Sequence, residues 1–260
     1  MNATQIGWAG LVGSFALVVV AIALSFTQRL QLSRSILWAS ARAAVQLLLV
    51  GFALRLVLDS NASVWWAWLW VVIMIGFASF TIGSRAKEVP GIFLLGTISM
   101  LTVVVVSLSV IFGFQVFPVE GRTIVPLAGM MIGNSMTASV LVGRRIVGEL
   151  SEKRDEVEAR LALGQSWQDA SRPYVRSALR TALVPQIEST KAVGLVFLPG
   201  AMTGLVLAGV DAVDAVTVQL AIMYLILGSV ATSVTVIGLG LTRRVFTSDH
   251  RLRSIERATH

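Results

Sequence analysis

The sequence predicts an all-α integral membrane protein with seven transmembrane helices, its N-terminus outside and its C-terminus cytoplasmic. Three observations carry this. The 260 residues are 55% hydrophobic and 13% charged, with mean hydropathy +0.80, outside the range of soluble domains. Runs of about 20 residues without central charges, long enough to cross a bilayer, recur along the chain. The basic residues between those runs fall on one side.

The expected spans are 6–26, 36–58, 64–82, 92–112, 124–142, 186–209 and 213–241. In the first, Ala21-Ile22-Ala23 mimics a signal-peptidase site. Met1 to Gln5 has no basic residue, however, and the positive charge follows the apolar run, so a retained span is expected. Arg29 and Arg34 follow span one, and Arg85 and Lys87 follow span three. Eight more basic residues lie from Arg144 to Arg180 and five from Arg243 to Arg257, which places 17 of the 21 on the cytoplasmic side. The net charge of +7 is thus a topology signal, and no nucleic-acid partner is expected. The whole chain, 1–260, is expected to form one membrane domain, with a cytoplasmic loop at about 143–185 and a tail at about 242–260. Cysteine is absent, so disulfides and thiolate metal sites are excluded.

The long loop reads as helical. Ile146, Leu150, Val157, Leu161 and Leu163 recur among charges as a continuation of span five, and Gly164 supplies a stop. Ser166 to Asp169 fits a capping box that starts a second helix. Pro173 and Pro185 are expected to limit that helix, along which Arg172, Arg176 and Arg180 share a face. The loop reads either as a solvated surface beside anionic lipid or as a docking element with Trp167 as an exposed anchor.

Polar and small residues inside spans are the candidates for function. Gly129 and Gly133 form G-x-x-x-G in span five, and Gly200 and Gly204 form another in span six, a pattern that lets helices approach closely. Asn134 and Ser135 are costly in lipid and should face protein or water, either as interhelical hydrogen bonds or as pathway ligands. Pro199-Gly200 should kink or break span six, as a packing feature or as a hinge. Glu188 and Lys191, three residues apart, either neutralise each other or form a gate. Arg42 lies near the end of span two, where it can snorkel.

Three stretches carry a resemblance. "VEARLALGQSWQDASRPYVRSALRTALVPQIESTKAVGLVFLPGAMTGLVLAGVDA", "PLAGMMIGNSM" and "ILWASARAAVQLLLVG" resemble the FetB-like permeases. These are seven-span ABC transporter subunits associated with bacterial iron export, with plant relatives linked to aluminium tolerance. Two departures stand out. Asp211-Ala212 replaces the family's Asp-Pro, and the wider permease "EAA" pattern is met only by Glu158-Ala159 and Gly164, its hydrophobic-Pro ending displaced to Leu183-Val184-Pro185.

The resemblance implies a cell-membrane exporter subunit whose ATP and magnesium are bound by a partner ATPase. This chain has no G-x-x-x-x-G-K-[ST], and none of Lys87, Lys153 and Lys191 follows a glycine. A permease homodimer with two ATPase subunits is the expected assembly. Glu158, Gly164, Trp167, Asp169 and Arg172 are the expected coupling residues. Asn134, Ser135, Met136, Glu188, Lys191, Pro199 and Gly200 are the expected pathway. With His250 and His260 confined to the tail, a histidine-based metalloprotease or serine hydrolase is excluded.

Metal ligands are sparse. Apart from Glu188, the donors are Asn134, Ser135, carbonyls near Pro199 and the thioethers of Met130, Met131, Met136 and Met202. The metal ligand set is therefore unknown, and iron would bind weakly or cross as a chelate. An organic anion such as a nucleotide sugar, suited to Arg42 and Lys191, is the alternative cargo. A non-transporting scaffold or a self-contained channel is the alternative from another class.

Overall fold

The computed structural model describes residues 8–57, 63–247 and 252. It divides into two units, Met1–Ser63 and Val64–His260. Among the described residues all regular structure is helical, apart from two isolated bridges.

The first unit is a hairpin of α1 (Trp8–Thr27) and α2 (Ser33–Val57). Arg29 and Gln31 turn the chain in left-handed conformations, φ 53° and 55°. The buried Ser25 hydroxyl holds the turn by accepting the Leu32 N–H at 3.1 Å.

The second unit contains α3 (Val64–Arg85), α4 (Ile92–Gly113), α5 (Gly121–Glu152), α6 (Arg154–Ala162), α7 (Trp167–Ala192), α8 (Gly200–Leu207) and α9 (Ala212–Val245). Its axis is the α5–α9 pair; α4 and α7 pack against both, α3 against α4 and α5, and α8 against α9. At 1.5 Å per residue these two helices reach about 48 and 51 Å, against a hydrocarbon core of about 30 Å, so both extend beyond the bilayer interior. Ile82 of α3, Met100 of α4, Ile124, Met131, Ile146 and Leu150 of α5, and Ile237 and Leu241 of α9 are fully buried.

Five helices are long and apolar enough to cross a membrane among the described residues: α2 over Ser33–Phe52, and α3, α4, α5 and α9. Val12–Thr27 of α1 is a shorter apolar stretch. The expected sixth span at 186–209 is not one helix. α7 ends at Ala192, residues 193–199 form a break, and α8 restarts at Gly200 with Pro199 as its cap. Gly194 occupies φ +87° in that break, a conformation that excludes helix and favours glycine. Hydropathy alone counted this stretch as a span because leucine and valine score alike in helix and loop.

Pro173 and Pro185 do not end the loop helix as expected, since α7 runs through both. Each proline is exposed, and the helix continues past the carbonyl that each leaves unpaired. A stripe at four-residue spacing, Ala170, Tyr174, Ala178 and Ala182, is buried and holds the helix in place.

Candidate functional site

The break at Pro199 comes about as the sequence predicts, and its exposed backbone is met from α9. The side-chain carbonyl of Gln219, a buried residue, accepts the Met202 N–H at 3.3 Å and so caps the first turn of α8. The break closes on itself through Gly194 N–H to Phe197 O at 3.0 Å. Leu195, Val196 and Leu198 remain exposed around it.

Asn134 is exposed on α5 and donates its amide to Met130 O one turn back, at 2.8 Å. Glu188 and Lys191 form an ion pair at 2.9 Å, with both side chains mostly exposed. Asn134 and the Glu188–Lys191 pair therefore satisfy their polar groups within their own helices, and the Pro199 break is met from α9. No hydrogen bond or ion pair among the described residues joins them into one binding site.

Ser135 differs from its neighbour. It is fully buried, and with the indole Nε1 of Trp70 its Oγ is one of two buried side-chain polar atoms without a partner among the described residues. It opens a hydroxyl cluster that the sequence reading passed over. Ser233 of α9 donates to Ser135 O at 3.2 Å. Ser139 of α5 lies 2.6 Å from the Ser233 hydroxyl and must be the donor to it, because the Ser233 proton is already committed. Ser99 of α4 donates to Ser233 O at 3.4 Å. All four serines are buried, so three helices meet around hydroxyls inside an apolar core. The signal was present in the sequence as Ser135 and Ser139 at i,i+4 in one apolar run and Ser229 and Ser233 at the same spacing in another.

Helix packing by glycine is also redistributed. A Cβ added at Gly129 would meet Met74, but at Gly133, Gly200 and Gly204 it would meet no described neighbour within 4 Å. The close approaches are at Gly240 against Leu95, Gly238 against Leu179, Gly143 against Ile92 and Gly96 against Ile82. Gly91, at φ +65°, accepts a hydrogen bond from Arg244 at 3.2 Å, and a Cβ there would overlap the guanidinium.

The expected coupling residues form an elbow. α5 ends at Glu152 and α6 follows at once, so the continuation of span five is interrupted at Lys153. Gly164 stops α6 in the left-handed conformation, φ +86°. Ser166 caps α7 by accepting the Asp169 N–H at 3.2 Å and donating to the Asp169 carboxylate at 2.7 Å. Glu158 pairs with Arg154 at 2.7 Å. Trp167 is not the exposed anchor expected: it is half-buried, its ring centroid 5.7 Å from that of Phe246 just past α9. Aromatic burial against an element distant in sequence could not be read from the loop alone.

A second polar cluster braces the elbow. Glu156 accepts from Lys153 at 2.7 Å and from the Tyr174 hydroxyl at 2.9 Å. The Lys153 bond, with that of Tyr174, holds the Glu156 carboxyl below its ordinary value, and the Glu156 bond raises Lys153. Burial, then the bond to Glu156, pushes the Tyr174 phenol up. Arg172, Arg176 and Arg180 are all exposed along one flank of α7, as their spacing predicts.

Residues 8–246 match the family described as Uncharacterised protein family (UPF0014). The chain belongs to the UPF0014 family. UPF0014 relatives include the membrane protein STAR2 of Oryza sativa subsp. japonica, 37% identical over 85% of this chain and 78% of the relative. Protein ALUMINUM SENSITIVE 3 of Arabidopsis thaliana is 31% identical, over 85% and 80%. The probable iron export permease protein FetB of Escherichia coli (strain K12) is 33% identical over 97% of each chain. No solved structure matches the chain. The UPF0014 match and the apolar helices make this a multi-pass membrane protein. The resemblance seen in the sequence thus holds over nearly the whole length.

Proposed function

We propose that the chain is the membrane-spanning permease subunit of an ATP-driven ABC exporter that moves iron or another metal out of the cytoplasm. The observation that carries this is the end-to-end similarity to a protein named as a probable iron export permease. The elbow supports it physically. α6 and the start of α7 form a braced, charged elbow, and α7 runs from it into the break before α8. Force applied at Glu158, Gly164, Trp167, Asp169 and Arg172 is transmitted along α7 to Glu188, Lys191 and Pro199. ATP and magnesium belong to a separate ATPase subunit, and two permease copies enclose the pathway.

Among the described residues no group of three His, Cys, Asp or Glu side chains is positioned to hold a metal. The cargo is accordingly a weakly held or chelated metal that meets amide and carbonyl groups near Asn134, Met136 and Gly200, and the Ser135 hydroxyl only once its burial is relieved. Gentle purification of the tagged chain from its native membrane, with mass spectrometry, tests the assembly. A stoichiometric nucleotide-binding ATPase is expected. Its absence, under conditions that preserve other membrane complexes, would replace this reading with a scaffold or self-contained channel.

A further inference from the structure

The crevice between α7 and the end of α9 has a composition that docking of a neutral protein surface does not require. It is an open groove of about 630 Å³, a volume within the range of about 300–1,000 Å³ usual for small-molecule sites. Arg172 and Arg176 line it from α7 and Arg243 from α9. None of the three forms an ion pair among the described residues. Asp169 is the one carboxylate in the lining, and it is engaged by Ser166, so the crevice carries an excess of positive charge.

The rest of the wall is mixed: Gln168, Ser171 and Thr242 are polar, and Trp167, Val175, Leu179 and Leu239 supply the apolar part. Leu239 is 64% exposed and lies on the apolar run of α9 one turn before Arg243. A single continuous surface therefore passes from the hydrocarbon-facing side of a membrane helix to a group of guanidiniums at its end. A soluble phosphate would use the arginines and leave the leucines wet. A ligand that uses both ends carries an anionic phosphate on an acyl chain, and guanidinium forks suit phosphate oxygens.

We propose that this crevice binds one anionic phospholipid, its phosphate held by Arg172, Arg176 and Arg243 and the first part of an acyl chain lying along Val175, Leu179 and Leu239. A zwitterionic headgroup would bring its own cation against the arginines and binds less well. Trp167, Asp169 and Arg172 line both this crevice and the surface given above to the ATPase, so the charge variants are made at Arg176 and Arg243 and the test reads lipid and not transport.

Native mass spectrometry of the whole protein in mild detergent, titrated with phosphatidylglycerol or phosphatidylcholine, measures the preference. One tightly retained phosphatidylglycerol is expected, with phosphatidylcholine weaker. Each neutralised arginine should lower phosphatidylglycerol affinity about fivefold, so the Arg176→Gln, Arg243→Gln double variant loses about 25-fold and phosphatidylcholine is unchanged. Leu239→Gln should weaken phosphatidylglycerol with the charges intact, and Arg180→Gln, outside the crevice, should have no effect. Equal binding of the two lipids, or an unchanged double variant, would overturn the proposal. So would displacement of phosphatidylglycerol by millimolar inorganic phosphate, which would assign the arginines to a free anion, or a co-purifying protein that excludes lipid from the crevice.

Discussion

The hydroxyls of Ser139 and Ser233 lie 2.6 Å apart between α5 and α9, and Ser233 passes its own proton to the backbone of Ser135. Interhelical hydrogen bonds in membranes contribute about 0.6 kcal/mol on average and up to about 1.7. Ser233→Ala, which removes two such bonds, should destabilise the fold by about 1–2 kcal/mol. Ser135→Ala should be close to neutral, because its Oγ has no partner to lose. Unfolding in a denaturing detergent series measures both; equal losses would show that the cluster is not arranged this way.

Asn134 and Gly133 separate pathway from packing. Asn134→Ala removes only a local bond to Met130 O, so assembly should be retained while export falls. Gly133→Leu meets no described neighbour and should leave the protomer folded while disrupting pairing of two copies. Wild-type transport and wild-type oligomer size in both variants would remove these residues from the pathway and the seam.

Gly240 offers the converse. A Cβ there would approach Leu95 Cδ2 to 2.5 Å. That leucine end can move for alanine but not for a full side chain. Gly240→Leu should cost about 1–3 kcal/mol by overpacking α4 against α9, visible as a lowered Tm without any change specific to ATPase binding.

Trp167 and Phe246 join the start of α7 to the end of α9. Trp167→Ala should free the elbow, raise proteolytic cleavage near Gly164 and Gln165, and weaken ATPase co-purification. Trp167→Phe should restore most of both by keeping an aromatic contact. Identical cleavage in wild type and Trp167→Ala would show that the ring pair does not brace the elbow.

The Lys153–Glu156–Tyr174 cluster fixes a pH window. Glu156 titrates below its ordinary value of 4.5, so its contribution is present above that value and is lost as pH falls through the depressed one. Lys153 and Tyr174 titrate above 10.5 and 10.0, so theirs is complete below those values and is lost as pH rises beyond them. The elbow should be flat in stability between about pH 5 and 9. Glu156→Gln should remove the acid-side loss, as followed by tyrosine absorbance and limited proteolysis.

Much of this was legible in the sequence where one local rule decides the outcome. Gly164 stops a helix and Ser166 with Asp169 starts the next, because caps are written within four residues. Uncharged runs marked α2, α3, α4, α5 and α9 for the same reason. The errors fall where neighbours decide. Pro173 and Pro185 are both exposed within a continuous helix, which no local pattern reveals. Trp167 is covered by Phe246, 79 positions later. The close-packed glycines are Gly240 and Gly238, spaced two apart, so they escape a search for G-x-x-x-G. Buried serines read as ordinary polar interruptions until α4, α5 and α9 bring them together.

The central claim, export driven by a partner ATPase, is tested most directly by reconstitution. The complex purified with its ATPase is placed in proteoliposomes with the ATPase outward, and radioactive iron is followed into the lumen. ATP-dependent accumulation that needs hydrolysis and falls with Asn134→Ala is the predicted result. Iron movement indifferent to ATP, or hydrolysis with no iron moved and none stimulated by it, would contradict the account.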